Sequence, residues 1–461
     1  MADGKAGTRG AISLRDVDPD ALKVVRKLVA GGFEAYLVGG CVRDLYLKRR
    51  PKDFDVATSA TPEALRRTFR NCRIIGRRFK LAHVFFGPKV IETSTFRTTP
   101  VAAEDDPLIT HDNEWGTVED DARRRDFTIN GLFYDLDADA IVDFVDGLSD
   151  LDRGVIRTIG DPLLRFQEDP VRMIRAIKFA ARLDFTIETA TWAALLATVQ
   201  DIAKCSRARV LEEIYKLMRG GGARRSFELL LETHLLQHLM PSYLELFAKL
   251  APPGLQAPSR SLPGTPGRLL WDLLGALDEF TGATLQVADN GVLLSVLFAP
   301  LIDDQWMTAS RQGLDQMIDD LMLPFCSALG IARRDRELAR QILMAHRRMV
   351  EAVTRRKRRP SLVQRQYFHD ALVFLGLSVK ARGGDGNELT HWQRLAAASA
   401  GNGGPSQPPT GLATPATRTP APAPSAARSA PACAAATTTA PAPPLPPASA
   451  TAPRGSDGPP S

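Results

Sequence analysis

The pattern of apolar residues changes near residue 151, and this change limits the folds that the chain can adopt. Before it, "AYLVGG", "DFDVAT" and "HVFFGPKVIETSTF" are rich in β-branched and aromatic residues, and Gly87-Pro88 is typical of a turn between strands. After it, segments such as "PVRMIRAIKFAARL" repeat apolar residues every three or four positions, as amphipathic helices do. The sequence therefore predicts an α+β protein, in which a small mixed β-sheet head is followed by all-helical neck, body and tail domains.

Shifts in composition set the predicted boundaries of these parts. The last of them has a sequence dominated by alanine, proline and threonine, which buries too little apolar surface to offset the entropy lost on ordering. We therefore predict a flexible N-terminus at 1–21, a head at 22–150, a neck at 151–225, a body at 226–345, a basic helical RNA-binding segment at 346–395 and a disordered tail at 396–461.

Composition restricts the class of protein. The hydrophobic fraction of 44% and the charged fraction of 24% fit a globular protein, and clustered arginine and lysine residues favour a polyanionic partner such as nucleic acid or acidic lipid. The five cysteines form no CxxC pair, which argues against structural zinc and disulfides. The longest apolar run, at 291–302, is shorter than the roughly 18 residues that span a bilayer. We expect a cytoplasmic protein that does not enter a membrane.

The segment "PKDFDVAT" contains two closely spaced acids. In a strand Asp53 and Asp55 share one face, while Phe54 and Val56 point into the core. Two carboxylates that close repel each other unless a cation lies between them, and Mg²⁺ prefers oxygen ligands. Two acids at this spacing are common in solvated turns, so the prediction of a magnesium site depends on the neighbouring segments.

The neighbouring segment "LVGGCVRD" supplies features of a phosphate-binding turn. Gly39 and Gly40 lack a Cβ atom, so their backbone N–H groups can approach a ligand closely. Arg43 follows at once, and its fork of donors could clamp phosphate oxygens. A glycine pair alone would indicate only a tight turn.

A third carboxylate would complete a two-metal site, and the sequence offers two. Glu92 lies among β-forming residues in "VIETSTF", where a charge is unusual unless it lines a site. Asp126 lies in "EDDARRRDFTIN", where it could equally be a helix cap. Their spacing does not separate the two. The three arginines before Asp126 cannot all face one way, so we expect at least one to turn toward the acids.

A second distinctive segment is "EDPVRMIRAIKFAARL". Asp169, Arg172 and Arg175 recur every three residues, so they project from one side of a helix and could present donors and acceptors to the edge of a base. An exposed ladder of salt bridges is the alternative interpretation. The sequence has neither GxxxxGK[ST] nor GxGxxG, which disfavours P-loop and dinucleotide-binding folds.

Basic runs suggest contacts with RNA phosphates. Trp392 and Tyr367 could stack on bases, although each is more often a core or surface residue. The candidate phosphate-binding residues are Arg77, Arg78, Lys80, Arg355, Arg356, Lys357, Arg358 and Arg359.

Taken together, "LVGGCVRD", "PKDFDVATSATPE", "IETSTFRT", "EDDARRRDFTINGLFYD", "DGLSDLDRGVIRTIGDP" and "EDPVRMIRAIKFAARL" resemble the class II nucleotidyltransferases, the family of bacterial poly(A) polymerase and the tRNA CCA-adding enzyme. The matching segments come in family order over roughly residues 30–240. The resemblance implies a nucleotidyltransferase head in which Asp53 and Asp55 bind magnesium. It also implies that Gly40, Arg43 and Arg125 hold the triphosphate and ribose.

The resemblance extends to the base and to catalysis. It implies that Asp169, Arg172 and Arg175 read the base from the neck helix, and Asp126 matches an acid that the family associates with catalysis. The implied cofactors are two Mg²⁺ ions, for which Mn²⁺ could substitute. The implied substrates are ATP and RNA 3′ ends, and RNA degradation machinery or RNA chaperones are the implied protein partners.

Within this family the sequence favours a poly(A) polymerase. "HDNEWGTVEDDARRRDFT" and the basic run "RRKRRP" resemble the polymerase versions of these segments, and "LAHV" stands where CCA-adding enzymes more usually carry histidine-glycine-threonine. The proline- and alanine-rich tail departs from the arginine-rich end of those polymerases. We therefore predict template-independent addition of AMP, with CCA addition to tRNA and a non-catalytic RNA-binding adaptor as the alternatives.

Overall fold

A mixed sheet of eight strands forms the centre of the N-terminal part. The computed structural model describes residues 5–76, 80–98, 114–250, 266–284, 286–354 and 360–401. The strand order in the sheet is β1-β8-β7-β2-β3-β6-β5-β4, and β9 and β10 form a separate parallel pair. The strands are β1 (Lys5–Arg9), β2 (Ala35–Val38), β3 (Asp55–Thr58), β4 (Cys72–Ile75), β5 (Leu81–Phe86), β6 (Lys89–Thr95), β7 (Leu132–Asp135), β8 (Ala140–Asp143), β9 (Val155–Ile156) and β10 (Thr186–Ile187).

Strand β3 occupies the middle of this sheet. It runs antiparallel to β2 and parallel to β6, and its first residue, Asp55, lies opposite Val38 on one side and Glu92 on the other. Phe54 and Val56 pack against the main core, as the sequence predicts. Asp53 differs from the prediction because β3 begins only at Asp55, so Asp53 lies in the preceding loop and is exposed.

Five helices accompany the sheet in the described part of the head, and β1 together with α1 corrects the predicted flexible N-terminus at 1–21. Strand β1 pairs with β8, and α1 begins at Pro19 because the Asp18 side chain accepts from the backbone N–H of Asp20 and proline suits the first helical turn. Helix α1 ends before Gly31. The helices are α1 (Pro19–Ala30), α2 (Gly40–Tyr46), α3 (Pro62–Thr68), α4 (Val118–Arg123) and α5 (Gly147–Arg153).

The rest of the described chain is almost entirely helical, as predicted. Short 3₁₀ segments lie at Leu14–Asp16, Thr128–Asn130, Val199–Lys204 and Pro360–Leu362. The helices are α6 (Pro162–Glu168), α7 (Val171–Leu183), α8 (Thr189–Thr198), α9 (Arg207–Arg219), α10 (Ala223–Glu232), α11 (Leu235–Leu239), α12 (Pro241–Leu250), α13 (Pro266–Thr284), α14 (Asn290–Ile302), α15 (Arg311–Leu329), α16 (Arg333–Thr354), α17 (Phe368–Ala381) and α18 (Asn387–Gly401).

One apolar core continues from the sheet into the helices. It includes Val56 of β3, Ile174 of α7 and Leu293 of α14, and residues Met1–Gly404 form one compact unit. Trp392 belongs to a second core with Met349, where it is fully buried and its Nε1 donates to the Met349 carbonyl at 3.1 Å. Trp392 is therefore a packing residue, and the predicted stacking of this side chain on bases is wrong.

The C-terminal boundary also shifts. Helix α18 runs to Gly401, past the predicted start of the disordered tail at 396, and the remainder of that tail at 402–461 lies outside the described residues. Among the helices that the structure describes, none has both the length and the apolar composition needed to cross a membrane.

Candidate nucleotide-binding site

Three carboxylates gather where β3 and β6 run side by side. Asp55 and Glu92 are direct partners in the parallel pair, so their side chains leave the same face of the sheet. Burial and the negative charges of Glu92 and Asp53 raise the pKa of Asp55 to about 6, and Arg125 partly opposes this rise. The strand pairing thus brings Glu92 to the two acids that the sequence singles out.

The chemistry of these donors fits magnesium. Over the ranges that the structure describes, no three histidine, cysteine, aspartate or glutamate side chains are placed to hold a metal ion by themselves. Mg²⁺ is commonly bound by one or two carboxylates together with substrate phosphates, so an open set of acids is what a nucleotide site requires. A cation here would also relieve the repulsion that raises the pKa of Asp55.

The turn between β2 and α2 brings an arginine against bare backbone. Gly39 has a φ of 73°, and a Cβ atom there would lie 3.1 Å from Nη1 of Arg125. The Arg125 guanidinium lies 5.2 Å from the centroid of the Phe133 ring, and its Nη2 is 2.8 Å from Oδ2 of Asp121. Arg125 also lowers the pKa of Asp55, so its charge acts on the acids as well as lying against the glycine turn.

Arg43 lies beneath the same turn and is buried. Its Nε donates to Asp44 at 2.8 Å, its Nη1 donates to Asn130 at 2.6 Å, and its Nη2 is 2.7 Å from Asp44. Burial lowers the pKa of Arg43, and Asp44 partly opposes that effect. A Cβ atom at Gly40 would lie 3.6 Å from Nη2 of Arg43, so this side chain supports the turn from below. Contact between Arg43 and phosphate stays a prediction.

Asp126 is the centre of an ion pair between head and neck. Its Oδ2 accepts from Nε of Arg175 at 2.7 Å, and its Oδ1 accepts from Asn130 and from the backbone N–H of Phe127. Burial raises the pKa of Asp126, but Arg175 and then Asn130 outweigh burial and hold the pKa well below its usual range. The structure thus places Arg175 on Asp126, although the sequence predicts that Arg175 reads a base.

A cleft of about 570 Å³ lies between the head and helices α7 and α9. Arg172 reaches it while donating from Nη1 to Glu168 and to the Arg165 carbonyl, both at 2.9 Å. Asp169 accepts from Arg209 at 2.7 Å through Oδ2, but its Oδ1 is buried and has no hydrogen-bond partner among the described residues. The cleft is lined by Arg124, Arg125, Asp126, Asp169, Val171, Arg172, Arg175, Ala208, Arg209, Glu212, Glu213 and Lys216.

An unpaired buried carboxylate oxygen beside a cleft is costly unless a ligand satisfies it. Asp169 and Arg172 together present an acceptor and donors, which is the pattern needed to recognise the edge of a base. All three predicted base-reading residues thus line the cleft, although Arg175 is paired with Asp126 there.

The predicted RNA contacts are largely outside the part of the chain that the structure describes. This applies to Arg77, Arg78 and the run Arg355–Arg359. Lys80 is described, and its carbonyl accepts from Nη2 of Arg97 at 3.3 Å. Tyr367 is half-buried and packs against the second core, so it contributes to packing. Contact of these side chains with RNA stays a prediction.

Several residues of the site were missed by the sequence analysis. Asn130 joins Arg43 to Asp126, Arg209 holds Asp169, and the buried Asp121 pairs with Arg125. The spacing of four residues between Asp121 and Arg125 was visible as a possible helical pair. Asp126 and Asn130 have the same spacing, but the extended Phe127 lies between them, so helical periodicity does not indicate their contact. Arg209 lies 40 residues after Asp169, so no local pattern points to that contact.

Comparison with known families gives two matches. Residues 35–157 match the model described as poly A polymerase head domain. Residues 184–246 match the model described as probable RNA and SrmB-binding site of polymerase A.

Relatives extend this similarity over most of the chain. Poly(A) polymerase I of Salmonella typhi is 38% identical over 84% of this chain and 82% of its own length. Poly(A) polymerase I of Escherichia coli O6:H1 is 38% identical over 83% of each chain. A CCA-adding enzyme of Lactobacillus helveticus is 39% identical, but over 48% of this chain and 55% of its own length.

Solved structures share the fold. The CCA-adding enzyme of Bacillus stearothermophilus in complex with CTP aligns over 83% of each chain with a TM-score of 0.54 and 25% identity. A tRNA nucleotidyltransferase with a primer tRNA and an incoming ATP analog aligns over 82% of this chain and 99% of its own, with a TM-score of 0.54 and 21% identity.

Proposed function

Because this chain belongs to the family of bacterial poly(A) polymerases and CCA-adding enzymes, we propose that it adds AMP units from ATP to RNA 3′ ends without a template and releases pyrophosphate. We prefer AMP addition to CCA addition because of how much of the chain is similar to each kind of relative. Poly(A) polymerase I aligns over 84% of this chain and so extends through the helical half. The CCA-adding enzyme of similar identity aligns over only 48% of this chain.

The acids of β3 and β6 form the reactive end of the proposed site. Asp53, Asp55 and Glu92 would hold magnesium, which when bound supplies positive charge at the reacting phosphate and lowers the pKa of the attacking ribose hydroxyl. We propose Glu92 as the third carboxylate of the metal site because it lies directly opposite Asp55 in the pairing of β3 and β6. Asp126, in contrast, forms an ion pair with Arg175.

Arg125 and the glycine turn bind the triphosphate in this proposal. The absence of a side chain at Gly39 leaves room for Arg125, whose charge stabilises the phosphate oxygens as pyrophosphate leaves. Asp121 keeps the guanidinium in place through its bond to Nε at 3.1 Å. Arg43 acts from beneath, holding the turn through Asp44 and Asn130.

Asp169 and Arg172 select the base. The free Oδ1 of Asp169 accepts from the exocyclic amino group at N6 of adenine or N4 of cytosine, where guanine and uracil carry a carbonyl oxygen, while Arg172 donates to a ring nitrogen. A guanine would place its O6 acceptor against the carboxylate and leave buried groups unpaired, which costs binding energy. This chemistry accepts adenine and cytosine and leaves the choice between ATP and CTP to the shape of the cleft.

The test is single-nucleotide incorporation. The purified protein is given each nucleoside triphosphate in turn, with an RNA oligomer or with a tRNA that lacks its CCA end. We expect long tracts from ATP on both substrates. Incorporation of CTP that stops after two residues on the tRNA alone would assign the protein to CCA addition instead.

The second alternative, a non-catalytic RNA-binding adaptor, is tested by the same assay with Asp55→Asn. The proposed function predicts that wild-type protein incorporates AMP and that this variant does not. Action in the cytoplasm on messenger RNA, together with contacts to RNA degradation machinery or RNA chaperones, belongs to the same proposal. Magnesium, with manganese as a substitute, is its proposed cofactor.

A further inference from the structure

We propose that Arg165, a buried arginine of α6, is a positioning residue that couples recognition of the base to binding of the triphosphate. The inference rests on the proposed function, because it concerns how two parts of that nucleotide site act on each other. The residues that read the base lie on the neck, whereas Arg125 lies on the head. Arg165 contacts both groups.

On the head side, Arg165 holds backbone. Its Nη2 donates to the carbonyls of Arg124 and Arg125 at 2.5 and 2.6 Å. These bonds fix the main chain at the position from which the Arg125 side chain extends toward Gly39. A shift of this segment would move the Arg125 guanidinium away from the glycine turn, where the phosphates bind in our proposal.

On the neck side, Arg165 shares a carboxylate with Arg172. One glutamate oxygen, Oε2 of Glu168, accepts from Nη1 of Arg165 at 2.7 Å and from Nη1 of Arg172 at 2.9 Å. The same Arg172 nitrogen also donates to the backbone carbonyl of Arg165 at 2.9 Å. The orientation of the base-reading arginine therefore depends on where Arg165 lies.

The environment of Arg165 makes an arginine necessary. The residue is 7% exposed, and its Nε is buried without an acceptor among the described residues. Such burial without full pairing is unfavourable for folding alone, so a purely structural role does not account for it. A lysine has one ammonium group and lacks the planar fork that reaches two carbonyls and a carboxylate together.

The chain offers a matched control in α16. Arg347 also donates to two backbone carbonyls, those of Ala309 and Met307, and to one glutamate, Glu351. It takes no part in the proposed site. Arg347→Lys therefore reports the cost of disrupting an equivalent arrangement outside the nucleotide site.

The experiment compares wild type, Arg165→Lys, Arg172→Lys and Arg347→Lys by isothermal titration calorimetry with ATP, GTP and inorganic tripolyphosphate. We expect Arg165→Lys to reduce the preference for ATP over GTP about tenfold and to weaken tripolyphosphate binding by a similar factor, the size of one lost hydrogen bond to a charged donor. Arg172→Lys should reduce the preference and leave tripolyphosphate binding unchanged. Arg347→Lys should change neither quantity.

Two results would overturn the inference: wild-type values for Arg165→Lys in both measurements, or equal losses in Arg165→Lys and Arg347→Lys. If wild-type protein shows no preference for ATP over GTP, the proposed function fails, while the tripolyphosphate measurement still tests the contact between Arg165 and the Arg125 segment. If Arg165→Lys does not fold, Glu168→Gln is used instead, because it removes the negative charge that Arg165 and Arg172 share. It should reduce the ATP preference, and an unchanged preference would count against the coupling.

Discussion

Replacing Arg175 with methionine removes the cation that faces Asp126 and keeps much of the side-chain volume. In the wild type this pair joins helix α7 to the segment after α4, with Nη2 of Arg175 2.5 Å from Oδ2 of Asp126. The variant leaves the carboxylate with Asn130 and one backbone N–H as its remaining partners. These neutral donors do not replace the lost positive charge.

The expected loss follows from burial. The Asp126 side chain is 10% exposed, and breaking a buried pair by removing one partner costs roughly 3–5 kcal/mol. Because the Arg175 side chain is 34% exposed and thus partly screened, we expect the lower end, about 3 kcal/mol. Asp126→Asn/Arg175→Met should recover about half of this loss, since no unpaired charge is then buried.

The assay is urea unfolding of the wild type, Asp126→Asn, Arg175→Met and the double variant at several pH values. In the wild type the lowered pKa of Asp126 stabilises the fold above the usual carboxyl range of about 4, and this contribution is lost as the pH falls. In Arg175→Met the loss of this cation moves the pKa of Asp126 upward, so the stability that the wild type gains above about pH 4 is reduced or lost.

Additive single-variant effects, or a pH dependence in Arg175→Met that matches the wild type, would refute this account of the pair. The nucleotide assay gives an independent check. A variant that folds but loses its preference for ATP over GTP would restore Arg175 to the base-reading role that the sequence predicts.

Three further outcomes are expected. Glu92→Gln should lower kcat for AMP incorporation on the order of 100-fold, because in our proposal a magnesium ligand then loses its charge; a near-normal rate would exclude it as the third carboxylate. Arg172→Ala should reduce the preference for ATP over other nucleotides more than it lowers the turnover rate. A slow variant that stays fully selective for ATP would contradict base reading by Arg172. Burial and then Arg382 lower the pKa of His346 to about 3, so stability falls as the pH drops below about 6.5. From pH 7 to 5, urea unfolding should show wild type losing about 2 kcal/mol more than His346→Leu, and equal losses would contradict the lowered pKa.

The sequence predicted those parts of the site that depend on local spacing. Asp53 and Asp55 lie two residues apart, and Asp169 and Arg172 three, so each pair was recognisable in the sequence, although Asp53 lies before β3 and Asp169 before α7. The order of segments then identified the family. The fold class followed from the change in periodicity, and the eight-stranded sheet followed by helices confirms it.

Contacts between distant segments were not accessible in the same way. The choice of Glu92 over Asp126 depended on the parallel register of β3 and β6, which joins residues of separate strands. The pair of Asp126 and Arg175 spans 49 residues, and the spacing of Arg175 along the chain gave no sign of this contact. Trp392 was misassigned because its aromatic ring suits either a base or a core, and only packing against Met349 decides between them.

Strand β1 has a practical consequence for handling the protein. It lies at one edge of the sheet and pairs with β8, with Lys5 opposite Asp143. Removing the first ten residues would leave the outer backbone groups of β8 unpaired, and such an edge readily recruits a strand from another molecule. Shortened versions would therefore be expected to self-associate during purification, even though the deleted segment contains none of the nucleotide-binding residues.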